Sequence, residues 1–115
     1  MNIYNMSESY NKQTLGAFFR LKREENGLLV RQVAAVTEMD QAIISRIENG
    51  ERLPTKEQLT KLAGLYGLDL NGIYSDWLTE RMLRDYGSEP FASDAFREAN
   101  VRIQYNMRRK EENEK

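Results

Sequence analysis

The sequence predicts an all-α protein, and three observations lead to this prediction. Apolar residues recur at the spacing of a helix in every strongly patterned segment of the 115-residue chain. Side chains that cap helices stand ahead of these segments, and glycines follow several of them. With 40% hydrophobic residues, the chain can bury one small core and would gain stability from a partner.

The N-terminal part of the sequence predicts a polar segment followed by two short helices. Residues 1–12 are polar and are predicted to form a flexible arm. Thr14 is a suitable cap for a first helix that runs through Asn26 and stops at Gly27. A second helix is expected over about residues 30–37.

The third helix carries the most informative pattern. Asp40 is expected to cap it, and Asn49-Gly50 to end it. At about 100° per residue, one face holds Ile43, Ile44 and Ile47. The opposite face holds Gln41, Ala42, Ser45, Arg46 and Asn49.

This polar face differs from that of an ordinary surface helix, which usually carries Glu and Lys. Glutamine and arginine can each make two directed hydrogen bonds to a base edge, and alanine lets a helix approach closely or touch a thymine methyl group. We interpret the face as one that reads bases. A solvated helix face is the alternative.

Capping residues predict a fourth and a fifth helix after the third. Thr55 and Gln58 form a capping box for a fourth helix that reaches about Tyr66. Asp69 is expected to cap a fifth helix that continues to Gly87, which is longer than a minimal DNA-binding unit needs.

A sixth helix is predicted over about residues 90–110, because Pro90 suits a helix start. Residues 75–110 are therefore expected to form a helical hairpin, and residues 111–115 a disordered tail.

The hairpin is expected to bury aromatic residues and to leave apolar surface for a homodimer interface. A hairpin packed only on its own domain is the alternative. The residues that we expect to bury are Trp77, Phe91 and Phe96. The residues assigned to dimerisation are Trp77, Met82, Phe91, Phe96 and Ile103.

A set of residues between Leu15 and Gly50 carries a family resemblance. The set comprises Leu15-Gly16, Arg23, Gly27-Leu28, Val33-Ala34 and Ile44-Ser45-Arg46-Ile47-Glu48-Asn49-Gly50. Over about residues 16–74 the chain resembles the XRE-type helix-turn-helix regulators, the family of phage lambda repressor and Cro. The resemblance implies a five-helix lambda-repressor-like DNA-binding domain over residues 13–74, here with an extended fifth helix and an added C-terminal helix.

The resemblance also implies roles for individual residues. In this family the third helix enters the major groove, and its first turns touch bases. That assigns base contacts to Gln41, Ala42, Ser45 and Arg46. It further implies a phosphate contact for Asn49 and an ion pair between Arg23 and Glu48. We interpret this pair as structural, with a DNA contact as the alternative.

The start of the second helix departs from the family pattern. Leu29-Val30 stand where most members have Thr-Gln, and they can neither cap the helix nor bind phosphate. Arg31 is a candidate for the missing backbone contact, with a solvated charge as the alternative. Arg52 and Lys56 complete the set of candidate DNA-binding residues.

A second departure is Glu38, which stands where the turn usually carries glycine at positive φ. We expect either modest strain there or a turn of another shape. The run over residues 28–35 also resembles a branch of the family whose genes often lie beside restriction-modification genes. This similarity implies a controller of such genes.

The net charge of −1 is unevenly distributed along the chain. Residues 11–56 carry +2, residues 57–100 carry −4, and residues 101–115 carry +2. Because +2 is a small charge for a DNA-binding surface, we expect weak non-specific binding and a dependence on dimerisation and specific contacts.

Composition excludes several other classes of protein. The absence of His and Cys removes the usual general base, zinc ligands and thiol nucleophile, so we expect no enzyme, metal site or cofactor. No apolar stretch is long enough for a membrane span, the start does not resemble a signal peptide, and a cytoplasmic location is expected. The expected partner is double-stranded DNA. The competing hypothesis is a protein-interaction module of the same fold that holds a toxin or a polymerase subunit.

Overall fold

A computed structural model of the chain describes residues 14–114, and these residues form helices without any strand. The predicted arm over residues 1–12 lies outside the described residues. The helices are α1 (Leu15–Glu25), α2 (Val30–Thr37), α3 (Gln41–Glu48), α4 (Lys56–Tyr66), α5 (Leu70–Tyr86) and α6 (Ala92–Glu114). None of these helices is long and apolar enough to cross a membrane. The prediction of an all-α protein is confirmed.

The chain divides into two compact units, one ending at Arg81 and the other beginning at Met82, so that the division falls inside α5. The core of the first unit is formed by apolar residues from all five of its helices. Its most deeply buried members are Leu15, Phe19, Val33, Ile44, Ile47, Leu59, Leu62 and Ile73.

Local capping explains where several helices of the first unit begin. The hydroxyl of Thr14 accepts a hydrogen bond from the backbone N–H of Ala17 at the start of α1. Thr55 and Gln58 form the reciprocal capping box of α4, with distances of 3.0 and 3.1 Å. The carboxylate of Asp69 accepts from the N–H of Gly72 at the start of α5. These contacts satisfy N–H groups that a helix cannot pair within itself.

Helices α1 and α3 approach each other closely at Gly16. A Cβ atom at this position would overlap with the carbonyl oxygen of Ile47. Because glycine has no Cβ, α1 can lie directly against the backbone at the end of α3.

Trp77 and Glu80 attach α5 to the first unit. The indole N–H of Trp77 donates to the carbonyl oxygen of Pro54 at 2.8 Å, and its ring packs partly buried against the core. The carboxylate of Glu80 accepts a hydrogen bond from the N–H of Leu15 at the start of α1. The prediction that a C-terminal hairpin buries Trp77 is therefore wrong, since the first unit already offers this indole an apolar surface and an acceptor.

The second unit leaves most of its apolar side chains uncovered. Ala92 is buried and Phe96 is partly buried, whereas Phe91 is 77% exposed. Every side chain from Arg97 to Glu114 is exposed. The prediction that Phe91 is buried is wrong, because this part of the chain provides no apolar surface to cover it.

The prediction of a disordered tail over residues 111–115 is also wrong for residues 111–114, because α6 continues through Glu114. Ion pairs between side chains four or three residues apart support this helix at Glu98–Arg102 and Asp94–Arg97.

Candidate nucleic-acid interface

Helices α2 and α3 form the helix-turn-helix, joined by a three-residue turn. Glu38 ends α2 in the left-handed conformation, with φ of 56°. The N–H of Met39 then donates to the carbonyl of Ala34 at 3.1 Å, and the Met39 side chain is buried. The turn thus keeps the backbone conformation that favours glycine and places a glutamate in it.

The turn leads directly into the recognition helix candidate, α3. The carboxylate of Asp40 accepts from the N–H of Ala42 at 2.7 Å and so caps α3. Ile44 and Ile47 are buried in the core, and Ile43 packs against it. These contacts fix which face of α3 points away from the protein.

The outward face of α3 carries the predicted base-reading residues. Gln41, Ala42 and Arg46 are exposed, and Ser45 is partly buried. The side chains of Gln41 and Arg46 make no hydrogen bond or ion pair with any residue between positions 14 and 114. Their donors and acceptors are therefore available to an external partner. Asn49 is exposed at the C-terminal cap of α3.

The other three candidates lie on separate elements. Arg31 is exposed in the first turn of α2, and Arg52 is partly buried in the loop after α3. Lys56 begins α4, and its Nζ lies 5.8 Å from the centre of the Tyr74 ring. A cation held over an aromatic face loses part of its freedom while keeping its charge.

Gln32 is a residue at this site that the sequence reasoning missed. Its side-chain carbonyl accepts a hydrogen bond from the N–H of Leu29 at 2.8 Å. The start of α2 therefore retains half of a capping box although Leu29 has no capping side chain. The sequence could have predicted this contact, because Gln32 stands three residues after Leu29, at the position that glutamine occupies in a capping box.

Arg23 and Glu48 form a two-point ion pair between α1 and α3. Arg23 Nε lies 2.8 Å from Glu48 Oε2, and Arg23 Nη2 lies 3.0 Å from Glu48 Oε1. Arg23 Nη1 also donates to the carbonyl oxygen of Leu28 at 2.9 Å. The two side chains are only 14% and 6% exposed, respectively. The hydrogen bonds with Glu48 raise the pKa of Arg23, while burial opposes the shift.

Tyr66 extends this charged cluster into the core. Burial and the negative charge of Glu48 raise the pKa of Tyr66 to about 12, and Arg23 opposes the shift. Its hydroxyl oxygen is buried and has no hydrogen-bond partner among the described residues. The neutral phenol is thus the form that this environment favours.

The chain is similar to a phage protein and to a family of DNA-binding domains. It is 40% identical over 57 residues to the "ImmF control region 10 kDa protein" of Bacillus phage phi105. This match covers 50% of the chain and 63% of the phage protein. No solved structure matches the chain significantly. The model of the helix-turn-helix domain family matches residues 14–72, just over half of the chain, and the protein therefore belongs to that family.

Proposed function

We propose that the protein is a sequence-specific transcriptional regulator that binds an inverted-repeat operator as a homodimer, with α3 in the major groove. Membership of the helix-turn-helix family and the similarity to a phage control-region protein support a DNA-binding regulator. Control of restriction-modification genes is an additional hypothesis that rests on the resemblance of residues 28–35 alone.

The observation that carries the proposal is the division of α3 into two faces. Ile44 and Ile47 hold the helix against the core, while Gln41 and Arg46 project from the opposite side without a partner among the described residues. Gln and Arg are the side chains that make paired hydrogen bonds to adenine and guanine edges. Asp40 positions the first turn of α3, from which such contacts are made.

A dimer would compensate for the small positive charge of this region. One recognition helix contacts only a few base pairs, so two copies about 34 Å apart provide the length of site that selectivity requires. The net charge of +2 over residues 11–56 supplies little non-specific attraction. Specific contacts by Arg46 and Gln41, doubled by symmetry, would therefore carry most of the affinity.

The first test is selection of bound sequences from a random DNA pool at about 0.15 M salt, read together with the mass of the protein in solution. We expect an inverted repeat with half-sites one helical turn apart, bound by a dimer. A well-folded protein that enriches no sequence would contradict the proposal.

Two arginine variants then separate base reading from phosphate binding. Arg46→Ala should cost about 1 to 3 kcal/mol on the selected site and relax the preference at one base pair. Arg31→Ala should weaken all sequences evenly and reduce the dependence on salt. If Arg46→Ala weakened binding to the selected site and to random DNA equally, Arg46 would not be a base contact.

The exposed apolar residues of α6 favour a second hypothesis, a protein-interaction module of the same fold. Val101, Tyr105 and Met107 are each more than half exposed. In this case substitutions on α6 would abolish a complex with another protein, whereas Arg46→Ala would leave DNA retention unchanged. The arginine variants and the random-pool selection therefore distinguish the two hypotheses.

A further inference from the structure

The first turn of α2 carries the only hydrogen-bond donors among the exposed side chains of that helix. Four side chains of α2 are exposed, and they belong to Arg31, Gln32, Ala35 and Val36. Arginine and glutamine can donate hydrogen bonds, whereas alanine and valine cannot. In a helix-turn-helix the helix before the recognition helix crosses the DNA backbone. The start of α2 is therefore the part of this helix that is suited to contact phosphates.

The side-chain amide of Gln32 is held in place by the backbone of α2. Its Oε1 accepts a hydrogen bond from the N–H of Leu29 at 2.8 Å. Because a backbone N–H can only donate, the amide oxygen must face it, and Nε2 points away from it. The Nε2 atom makes no hydrogen bond to any residue that the structure describes. One end of the amide thus caps α2, and the other end is available to an external acceptor.

We propose that Gln32 is a further contact to the DNA backbone: its Nε2 donates to a phosphate oxygen while its Oε1 caps α2. This inference rests on the proposed function and adds a phosphate-contacting residue to the same site. Glutamine is among the side chains that donate to phosphate oxygens in protein–DNA complexes. Leu29 and Val30, the residues at the start of α2, have no side-chain donor for this purpose.

The capping bond lowers the cost of such a contact. A glutamine side chain on a helix surface loses rotamer freedom when it binds a ligand, and this loss opposes binding. The bond to Leu29 already restricts the side chain of Gln32 before DNA is bound. The side chain of the neighbouring Arg31 makes no hydrogen bond or ion pair with the described residues. Gln32 therefore supplies a fixed, neutral donor beside the flexible positive charge of Arg31.

Substitution by glutamate separates the two functions of this side chain. A glutamate carboxylate can accept the same hydrogen bond at the start of a helix, and its negative charge is favourable there. It has no N–H to donate, and it repels a phosphate. Gln32→Glu therefore keeps the cap of α2 and removes the proposed contact.

We expect Gln32→Glu to melt at the same temperature as the natural protein or at a higher one. It should bind the operator selected from the random pool at least about ten times more weakly. A phosphate contact carries no sequence information, so binding to random DNA should weaken by a similar factor. A loss of at least about fivefold should persist when the salt concentration is raised from about 0.1 to about 0.3 M, because salt screens repulsion between charges but does not restore a hydrogen bond.

Two control variants isolate the donor. Gln104→Glu adds the same charge at an exposed position of α6 and should change DNA affinity by less than about twofold. Gln32→Met removes the donors without adding a charge, and it should weaken binding to selected and random DNA alike. Because the amide is neutral, Gln32→Met should leave the salt dependence of binding unchanged, in contrast to Arg31→Ala. Each affinity is measured well below the melting temperature of the variant.

Two results would overturn the inference. If Gln32→Glu bound DNA as tightly as Gln104→Glu, the side chain of Gln32 would serve only as a cap. If the loss for Gln32→Glu disappeared at the higher salt concentration, it would arise from repulsion by the new charge and not from a lost contact.

The natural protein separates failure of this inference from failure of the proposed function. A natural protein that selects an operator, together with a Gln32→Glu variant that binds it equally well, would contradict only the contact by Gln32. A natural protein that enriches no sequence would contradict the proposed function, and the contact by Gln32 with it.

Discussion

Ile44 on α3 and Ile103 on α6 each belong to an apolar strip with helical spacing, yet Ile44 is 1% exposed and Ile103 is 55% exposed. The strip of α3 faces a core to which all five helices of the first unit contribute. Along the strip of α6, only Ala92 is buried and only Phe96 is partly buried, whereas the other members are exposed: Ala95, Ala99, Ile103 and Met107. Spacing therefore identifies the face of a helix that will be buried, but not the surface that will bury it.

The first prediction, with the largest expected effect, concerns the ion pair inside the first unit. Arg23→Ala should lower the free energy of unfolding by about 3 to 5 kcal/mol, because it leaves the carboxylate of Glu48 buried without its partner. Trp77 is the sole tryptophan and is partly buried in the first unit, so its fluorescence reports unfolding there.

Arg20→Ala is the matched control, because Arg20 pairs with Glu24 on an exposed part of the same helix. It should change stability by less than about 1 kcal/mol. Normal unfolding of Arg23→Ala together with loss of DNA binding would instead assign Arg23 to the DNA contact.

The second prediction compares the same substitution, isoleucine to alanine, in the apolar strips of α3 and α6. Ile44→Ala should destabilise the first unit by about 2 to 5 kcal/mol, since it leaves a cavity in a packed core. Ile103→Ala should leave unfolding of the dilute protein within about 0.5 kcal/mol and weaken self-association measured by sedimentation. Equal destabilisation by both variants at every protein concentration would show that α6 is buried within a single chain.

The third prediction compares two glycines in helices. Gly16→Ala should destabilise the protein by about 1 to 3 kcal/mol, because the new methyl group overlaps with the Ile47 carbonyl where α1 meets α3. Gly64→Ala in α4 meets nothing within 4 Å and should stabilise by about 0.5 to 1 kcal/mol. The melting temperatures of the two variants provide the measurement. The same shift in melting temperature for both variants would mean that α1 and α3 are not in close contact.

The last and smallest effect is expected at Tyr66. Its pKa is raised to about 12 in the folded protein, against about 10 in the unfolded chain, so the neutral phenol is stabilised by folding. This contribution is fully present below pH 10 and is lost as the pH rises from 10 through 12. Tyr66→Phe should therefore reduce the decline of stability over this interval.

At pH 7 the same variant should be as stable as the natural protein or slightly more stable, because it removes a buried hydroxyl that has no partner among the described residues. Chemical denaturation at pH 7, 10 and 11.5 provides the measurement. A loss of more than about 1 kcal/mol at pH 7 would indicate that the hydroxyl has a partner.

The features that the sequence determined by itself are those that depend on near neighbours in the chain. Thr14, Asp40 and the Thr55–Gln58 pair begin their helices as expected, since a cap needs only the next two or three residues. The two faces of α3 were likewise predictable, because they follow from the 3.6-residue period.

The tertiary structure decided which distant groups meet. Trp77 contacts Pro54, and Glu80 contacts the start of α1, although neither pairing has a local pattern in the sequence. Phe91 has the character of a core residue and is exposed, because burial requires an opposing surface that the described chain does not provide. Local bonding and helical period thus determined the elements and their apolar faces, whereas contacts between residues far apart in the chain determined which of those faces were covered.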